Sequence, residues 1–148
     1  MSKPSLTIVR RLRAPPARVY AAFTQPEQIV RWWGPDAGPC LEAEADVRVG
    51  GRFRMVFRTL DGERHEMGGT YRVVEPARRL VYTHQWLTLP ERQSLVTIDF
   101  VATADGTELN LLHEQFHDED VRDAHIQGWG TMLDKLPALL AAAPETAG

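Results

Sequence analysis

Asp118–Ala143 reads DEDVRDAHIQGWGTMLDKLPALLAAA, and this stretch decides how the rest of the chain must fold. Asp118 is placed to cap a helix, and Glu119 and Asp120 put negative charge in its first turn, where the helix dipole favours it. Val121, His125, Gly128, Trp129, Met132, Leu133, Leu136 and Leu140 then recur at helical spacing. The stripe is wide and has no helical partner of similar length elsewhere in the chain. Most of what precedes it reads as strands. A long amphipathic helix with only a sheet to pack against predicts an α+β domain whose sheet wraps the helix. Pro137 removes a backbone donor, so the regular helix is expected to kink or end near Leu136, with a looser lid beyond.

Working outward, Leu6–Arg13 alternates as a first strand and Ala14-Pro15-Pro16 stops it. A short helix through Val19, Tyr20 and Phe23 follows, with Pro tolerated in its first turn. Thr24-Gln25-Pro26-Glu27 has capping-box spacing, which predicts a second short helix to about Trp33, ended by Gly34-Pro35. Cys40–Val47 is a weak strand. Arg52–Arg58 sets Phe53, Met55 and Phe57 against outward arginines, and Asp61-Gly62 predicts a hairpin. The return strand carries His65, Met67, Tyr71 and Val73 on one parity, with Gly68-Gly69 marking a bulge or a close approach. Leu80, Tyr82, His84 and Trp86 share the next inward face. After a loop at Leu89–Arg92, Val96, Ile98 and Phe100 alternate through Ser94–Thr103. Asp105-Gly106 predicts the last hairpin, into a strand bearing Leu109, Leu111 and His113. A meander this long must curl to bury one face.

The bulk numbers narrow the function. A chain of 148 residues is one domain, 1–148 with its core at about 6–140, and 43% hydrophobic with 25% charged residues describes an ordinary globular protein. A net charge of −3 gives no basic bias, so nucleic acid is not the expected partner. No apolar run approaches the roughly 20 residues of a membrane helix. The single cysteine, Cys40, excludes an internal disulfide and predicts a cytoplasmic protein.

The ordered set Ala14-Pro15, Phe23-Thr24-x-Pro26-Glu27, Trp32-Trp33-Gly34-Pro35, Asp46-x-Arg48-x-Gly50-Gly51, Glu75-Pro76-x-x-x-Leu80 and Gly128-Trp129-x-x-x-Leu133 resembles a known family. It is that of bacterial single-domain proteins like the activator of Hsp90 ATPase homologue 1 (AHSA1-like), in the START/Bet v 1-like (SRPBCC) superfamily. The resemblance runs from about Leu6 to Leu140. It implies the helix-grip fold: a curved antiparallel sheet of about seven strands around a long C-terminal helix, with two short helices after strand 1. It also implies a cavity between sheet and helix for an apolar or amphipathic small molecule.

The inward parity fits a lined pocket, because it mixes polar side chains with apolar ones and a buried polar group without a partner costs about 1–3 kcal/mol. The expected lining is Trp32, Trp33, Phe53, Met55, Phe57, His65, Met67, Tyr71, Tyr82, His84, Trp86, Val96, Ile98, Leu111, His113, Val121, His125 and Met132. Which of Trp32 and Trp33 faces the cavity is open at this level. His84, His113 or Tyr82 can orient a ligand's polar group. The blander reading satisfies each histidine with a backbone carbonyl or with water at the mouth.

No catalytic residue, cofactor or metal is expected. His65, His84 and His113 come from separate strands, and no carboxylate shares their inward parity at short spacing. Ser94 and Thr97 lack a nucleophile-elbow context. The expected function is binding of a small hydrophobic or amphipathic molecule, without nucleic acid or membrane as partner, and a homodimer is compatible with a domain of this size. Two alternatives differ in class. One is an aromatase/cyclase-like enzyme on a polyketide-like or aromatic substrate, with His84 or His113 as base. The other is a co-chaperone-type interaction module using outward residues such as Arg54 and Arg58.

Overall fold

Alternation along the strands is realised as a single antiparallel sheet, described here from a computed structural model that covers residues 3–33, 40–58, 61–86 and 89–141, the side chains of 89–92 excepted. The elements are β1 (Leu6–Leu12), α1 (Pro16–Thr24), α2 (Pro26–Trp32), β2 (Cys40–Ala45), β3 (Arg52–Arg58), β4 (Arg64–Glu75), β5 (Arg79–Trp86), β6 (Leu89–Thr103), β7 (Gly106–Glu114), α3 (Glu119–Leu133) and α4 (Leu136–Ala141). The seven strands lie in the order β1-β7-β6-β5-β4-β3-β2. Each hairpin neighbour pairs with the next, and β1 closes onto β7 with Leu6 opposite His113 and Leu12 opposite Thr107. The expected helix-grip architecture is therefore present, with a curved sheet gripping the C-terminal helical segment.

The inward face carries the core. Phe53, Met55, Phe57, Met67, Tyr71, Leu80, Tyr82, Val96, Ile98, Leu109 and Leu111 are buried on one side of the sheet. α1 and α2 plug one end, where Phe23 meets Trp32 and Phe100 edge-on at 4.8 and 5.7 Å. α3 makes few close backbone approaches to the strands and meets them mainly through large side chains. That spacing is what leaves room beneath it.

The break expected near Leu136 is present: α3 ends at Leu133 and α4 resumes at Leu136. Pro137 has no N–H to offer the Leu133 carbonyl, so an unbroken α-helix there would lose a bond and clash. The chain instead turns tightly, with the Lys135 N–H on the Met132 carbonyl. α4 is not a loose lid, because Leu136, Leu139 and Leu140 are buried. Ala142, Ala143 and the Gly34-Pro35 turn lie outside the described residues.

Thr24 does not form a capping box. Its hydroxyl donates back to the Tyr20 carbonyl at 2.9 Å, and Gln25 occupies the N-cap position with Pro26 at the first helical turn. The stretch Leu89–Arg92 is not a loop but the start of β6. Gly68-Gly69 is a close approach and not a bulge: a Cβ on Gly69 would lie 1.8 Å from the Thr83 carbonyl oxygen. The bulge falls later, between Tyr71 and Val73, so Val74 and not Val73 comes opposite Leu80.

Candidate functional site

At one end of the concave face, three imidazoles from three elements meet. His84 of β5, His113 of β7 and His125 of α3 have ring centroids 4.8 to 5.4 Å apart. Strand parity brings in the first two, and the helical stripe the third. Gln115, with φ 68°, turns the chain out of β7. Phe116 follows it and is buried against His113 (4.2 Å) and His125 (5.0 Å).

The hydrogen bonds fix the state of two of these rings. The Trp129 indole N–H donates to His113 Nδ1 at 2.9 Å, so that nitrogen carries a lone pair and the proton sits on Nε2. Nε2 then donates to Ser94 Oγ at 2.6 Å, and the Ser94 hydroxyl donates onward to the His84 carbonyl at 3.3 Å. His125 has the opposite tautomer. Its Nδ1–H donates to the Val121 carbonyl at 2.8 Å, and Nε2 accepts from the Trp86 indole at 3.2 Å. Both rings are neutral in this network.

Electrostatics agrees with the geometry. Burial first, then the field of His125, holds the His84 imidazole down to about 3. Burial, then His84 and His125, holds His113 well below the ordinary histidine range, and burial lowers His125 against its bond to Val121. Among the described residues no ionised partner offsets the desolvation of a charged ring. Ser94 is not an activated nucleophile, because the His113 nitrogen it meets is a donor and cannot take its proton. Burial likewise pushes the Cys40 thiol up to about 11, leaving it protonated at neutral pH.

Beside the network lies a recess of about 180 Å³. α3 contributes Ala124, His125, Gly128, Trp129 and Met132, β5 contributes His84 and Trp86, and the chain after α2 contributes Trp33. Of the expected lining, the structure therefore gathers Trp33, His84, Trp86, His125 and Met132 here. Trp33 borders the recess; the Trp32 indole N–H instead donates to the Ala22 carbonyl at 2.8 Å. His113 lies behind the wall, bonded to Trp129. His65 and Phe57 stack at 5.4 Å, with Trp86 edge-on to Phe57 at 5.6 Å.

Deeper under the sheet, the space between Trp32, Trp33, Phe53, Met55, Tyr71 and Tyr82 is only about 10 Å³. Side chains fill it. Val96, Ile98 and Leu111 are wholly buried, Met67 nearly so, and Val121 half-buried; none of these five borders either space. Trp129 both ties α3 to the sheet through His113 and forms part of the recess wall. Ala124 was not anticipated, since a small exposed residue gives no hydropathy signal.

The letters His-Glu-x-x-His do occur, at His113–His117. A metal pair of that kind needs both histidines on one helix face. Here His113 lies in strand β7, Gln115 follows the strand with a positive φ, and His117 is half-exposed beside Asp118 at 4.0 Å. Among the described residues no group of His, Cys, Asp and Glu is arranged to hold a metal. No described helix is long and apolar enough to cross a membrane.

Comparison with known proteins follows the same lines. The family model described as activator of Hsp90 ATPase homolog 1-like protein matches residues 13–141. A crystal structure from Chromobacterium violaceum is 32% identical, covering 94% of this chain and 98% of its own, with a TM-score of 0.85. One from Rhodobacter sphaeroides is 25% identical over 95% and 93%, with a TM-score of 0.82. An Aeromonas hydrophila protein solved in solution and described as AHSA1-like has the same fold at 21% identity, over 92% and 91%, with a TM-score of 0.77. No curated protein matches the chain.

Proposed function

This chain belongs to the family of activator of Hsp90 ATPase homolog 1-like proteins, and on that premise we propose that it binds a small, largely apolar molecule in the recess between α3 and β5. The fold is of the SRPBCC type, which commonly binds small ligands. The observation that carries the reading is the recess itself. A dry apolar cavity of about 150 Å³ is enough to hold benzene, and this one offers about 180 Å³. Burying apolar area there supplies about 25 cal/mol per Å² before the cost of association. The interior beneath Phe53 and Tyr82 is too full for a ligand, so the site is smaller than the whole concave face.

A catalytic base is less well supported. Both His113 nitrogens are bonded, and His84, held near 3, is a weak base at neutral pH. Docking through outward arginines also loses ground, since Arg54 is paired with Glu66 at 2.6 Å and Glu44 at 3.2 Å. The half-buried free Cys40 suits a reducing, cytoplasmic setting.

The test is a thermal-shift panel of small apolar compounds on the wild type and on Ala124→Phe. Ala124 is exposed on the helix and borders the recess, so the variant should fold and fill it. Stabilisation by at least one compound in the wild type, lost in the variant, supports binding. No shift across the panel contradicts it.

A further inference from the structure

We infer that the recess selects a neutral single-ring aromatic molecule bearing a hydroxyl group, with the hydroxyl set against His84; this rests on the ligand-binding reading above. Size is the first constraint. About 180 Å³ exceeds what one benzene ring needs but not by enough for a second ring. Shape is the next. Trp33, Trp86 and Trp129 present aromatic surface, and Met132 adds an adaptable thioether that favours ring edges.

The described part of the wall disfavours charge. None of the described residues bordering the recess is Asp, Glu, Lys or Arg. A carboxylate or an ammonium entering it would leave water without an opposite charge to meet, which is the costly case.

The polar atoms of the wall then single out one position. The indoles of Trp86 and Trp129 donate to His125 and His113, and the remaining His125 nitrogen donates to Val121. These groups are spent. Among the described residues His84 takes a side-chain hydrogen bond only on its backbone carbonyl, from Ser94, and the residue borders the recess. Among the described residues no buried polar side-chain atom lacks a partner. The His84 ring therefore keeps a nitrogen open to the recess, and a neutral imidazole can accept from or donate to a hydroxyl.

Toluene and phenol separate this inference from simple apolar binding, because methyl and hydroxyl are close in size. A wholly apolar recess favours toluene by more than about tenfold, since the hydroxyl would lose its water without compensation. With His84 as partner, phenol binds at least as tightly as toluene in NMR titrations of the wild type at pH 7. His84→Phe then restores toluene's lead of about tenfold, whereas His84→Gln, which keeps a neutral hydrogen-bonding group, retains phenol binding. Benzoate produces no shift. If toluene leads in the wild type and His84→Phe leaves the ratio unchanged, the hydroxyl assignment is overturned while apolar binding stands. Benzoate binding as tightly as phenol would overturn the neutral specificity. If neither toluene nor phenol binds, both this inference and the reading beneath it fall. Should His84→Phe not fold, the order of phenol and toluene on the wild type decides alone.

Discussion

The Trp129 indole N–H donates to His113 Nδ1 at 2.9 Å, tying the middle of α3 to the end of β7 inside the protein. His113 is fully buried and Trp129 nearly so. The bond both fixes the helix over the sheet and decides where the His113 proton resides.

Removing that donor should therefore be expensive. Trp129→Phe leaves the buried Nδ1 without a partner and opens space, for a loss of about 2–4 kcal/mol. Equilibrium unfolding in urea measures it. The ¹⁵N shifts of His113 should also change, because in the wild type they report an Nε2–H tautomer with a protected Nδ1.

Acid should destabilise the fold well before the carboxylates titrate. His84, His113 and His125 are all held below the ordinary value of 6.5, His84 to about 3. Between the folded and unfolded values the unfolded chain binds more protons, so stability rises with pH in that window. It is complete above about 6.5 and is lost as pH falls below that, for His84 down to about 3. Each histidine that stays neutral in the fold contributes a slope of about 1.4 kcal/mol per pH unit. Unfolding midpoints measured from pH 7.5 to pH 4.5 should follow this trend, and His84→Gln should flatten it.

Two glycines should respond oppositely to alanine. Gly69→Ala forces a Cβ into the Thr83 carbonyl, whose residue also receives the Thr70 N–H on its hydroxyl at 2.8 Å. The β4–β5 pairing must shift, at a cost of about 3 kcal/mol or more. At Gly130, within α3, a Cβ meets nothing within 4 Å. Gly130→Ala should stabilise by roughly 0.5–1 kcal/mol, since it restricts the unfolded chain and favours helix. Thermal unfolding of the two variants against the wild type measures both.

The frame of this protein was legible because one face of each strand is buried. Phe53, Met55 and Phe57 share one parity against Arg52, Arg54 and Arg58, and Leu80, Tyr82, His84 and Trp86 keep one parity, so period and register reinforce each other. Asp118 was readable as a cap because capping is local, and its side chain does accept from the Val121 N–H at 2.9 Å. The bulge after Tyr71 was not readable, because a register shift leaves no mark in composition. Nor was the packing of the deep interior: alternation says that Tyr71 and Tyr82 point inward, not that their rings fill the space between them. The bond from Trp129 to His113 joins residues 16 apart across a turn and a helix. Their tautomers follow only once those partners are known.

The central claim, that a small molecule enters the recess beside α3, has an internal control among the chain's four tryptophans. Trp33, Trp86 and Trp129 border the recess, while the Trp32 indole N–H is held on the Ala22 carbonyl away from it. The most direct measurement is a ¹⁵N-resolved titration of the four indole N–H signals with a single-ring aromatic compound. The signals of Trp33, Trp86 and Trp129 should move together and saturably while that of Trp32 stays, and none should move in Ala124→Phe. Signals that remain still in the wild type, or a Trp32 signal that moves as far as the other three, would contradict the account.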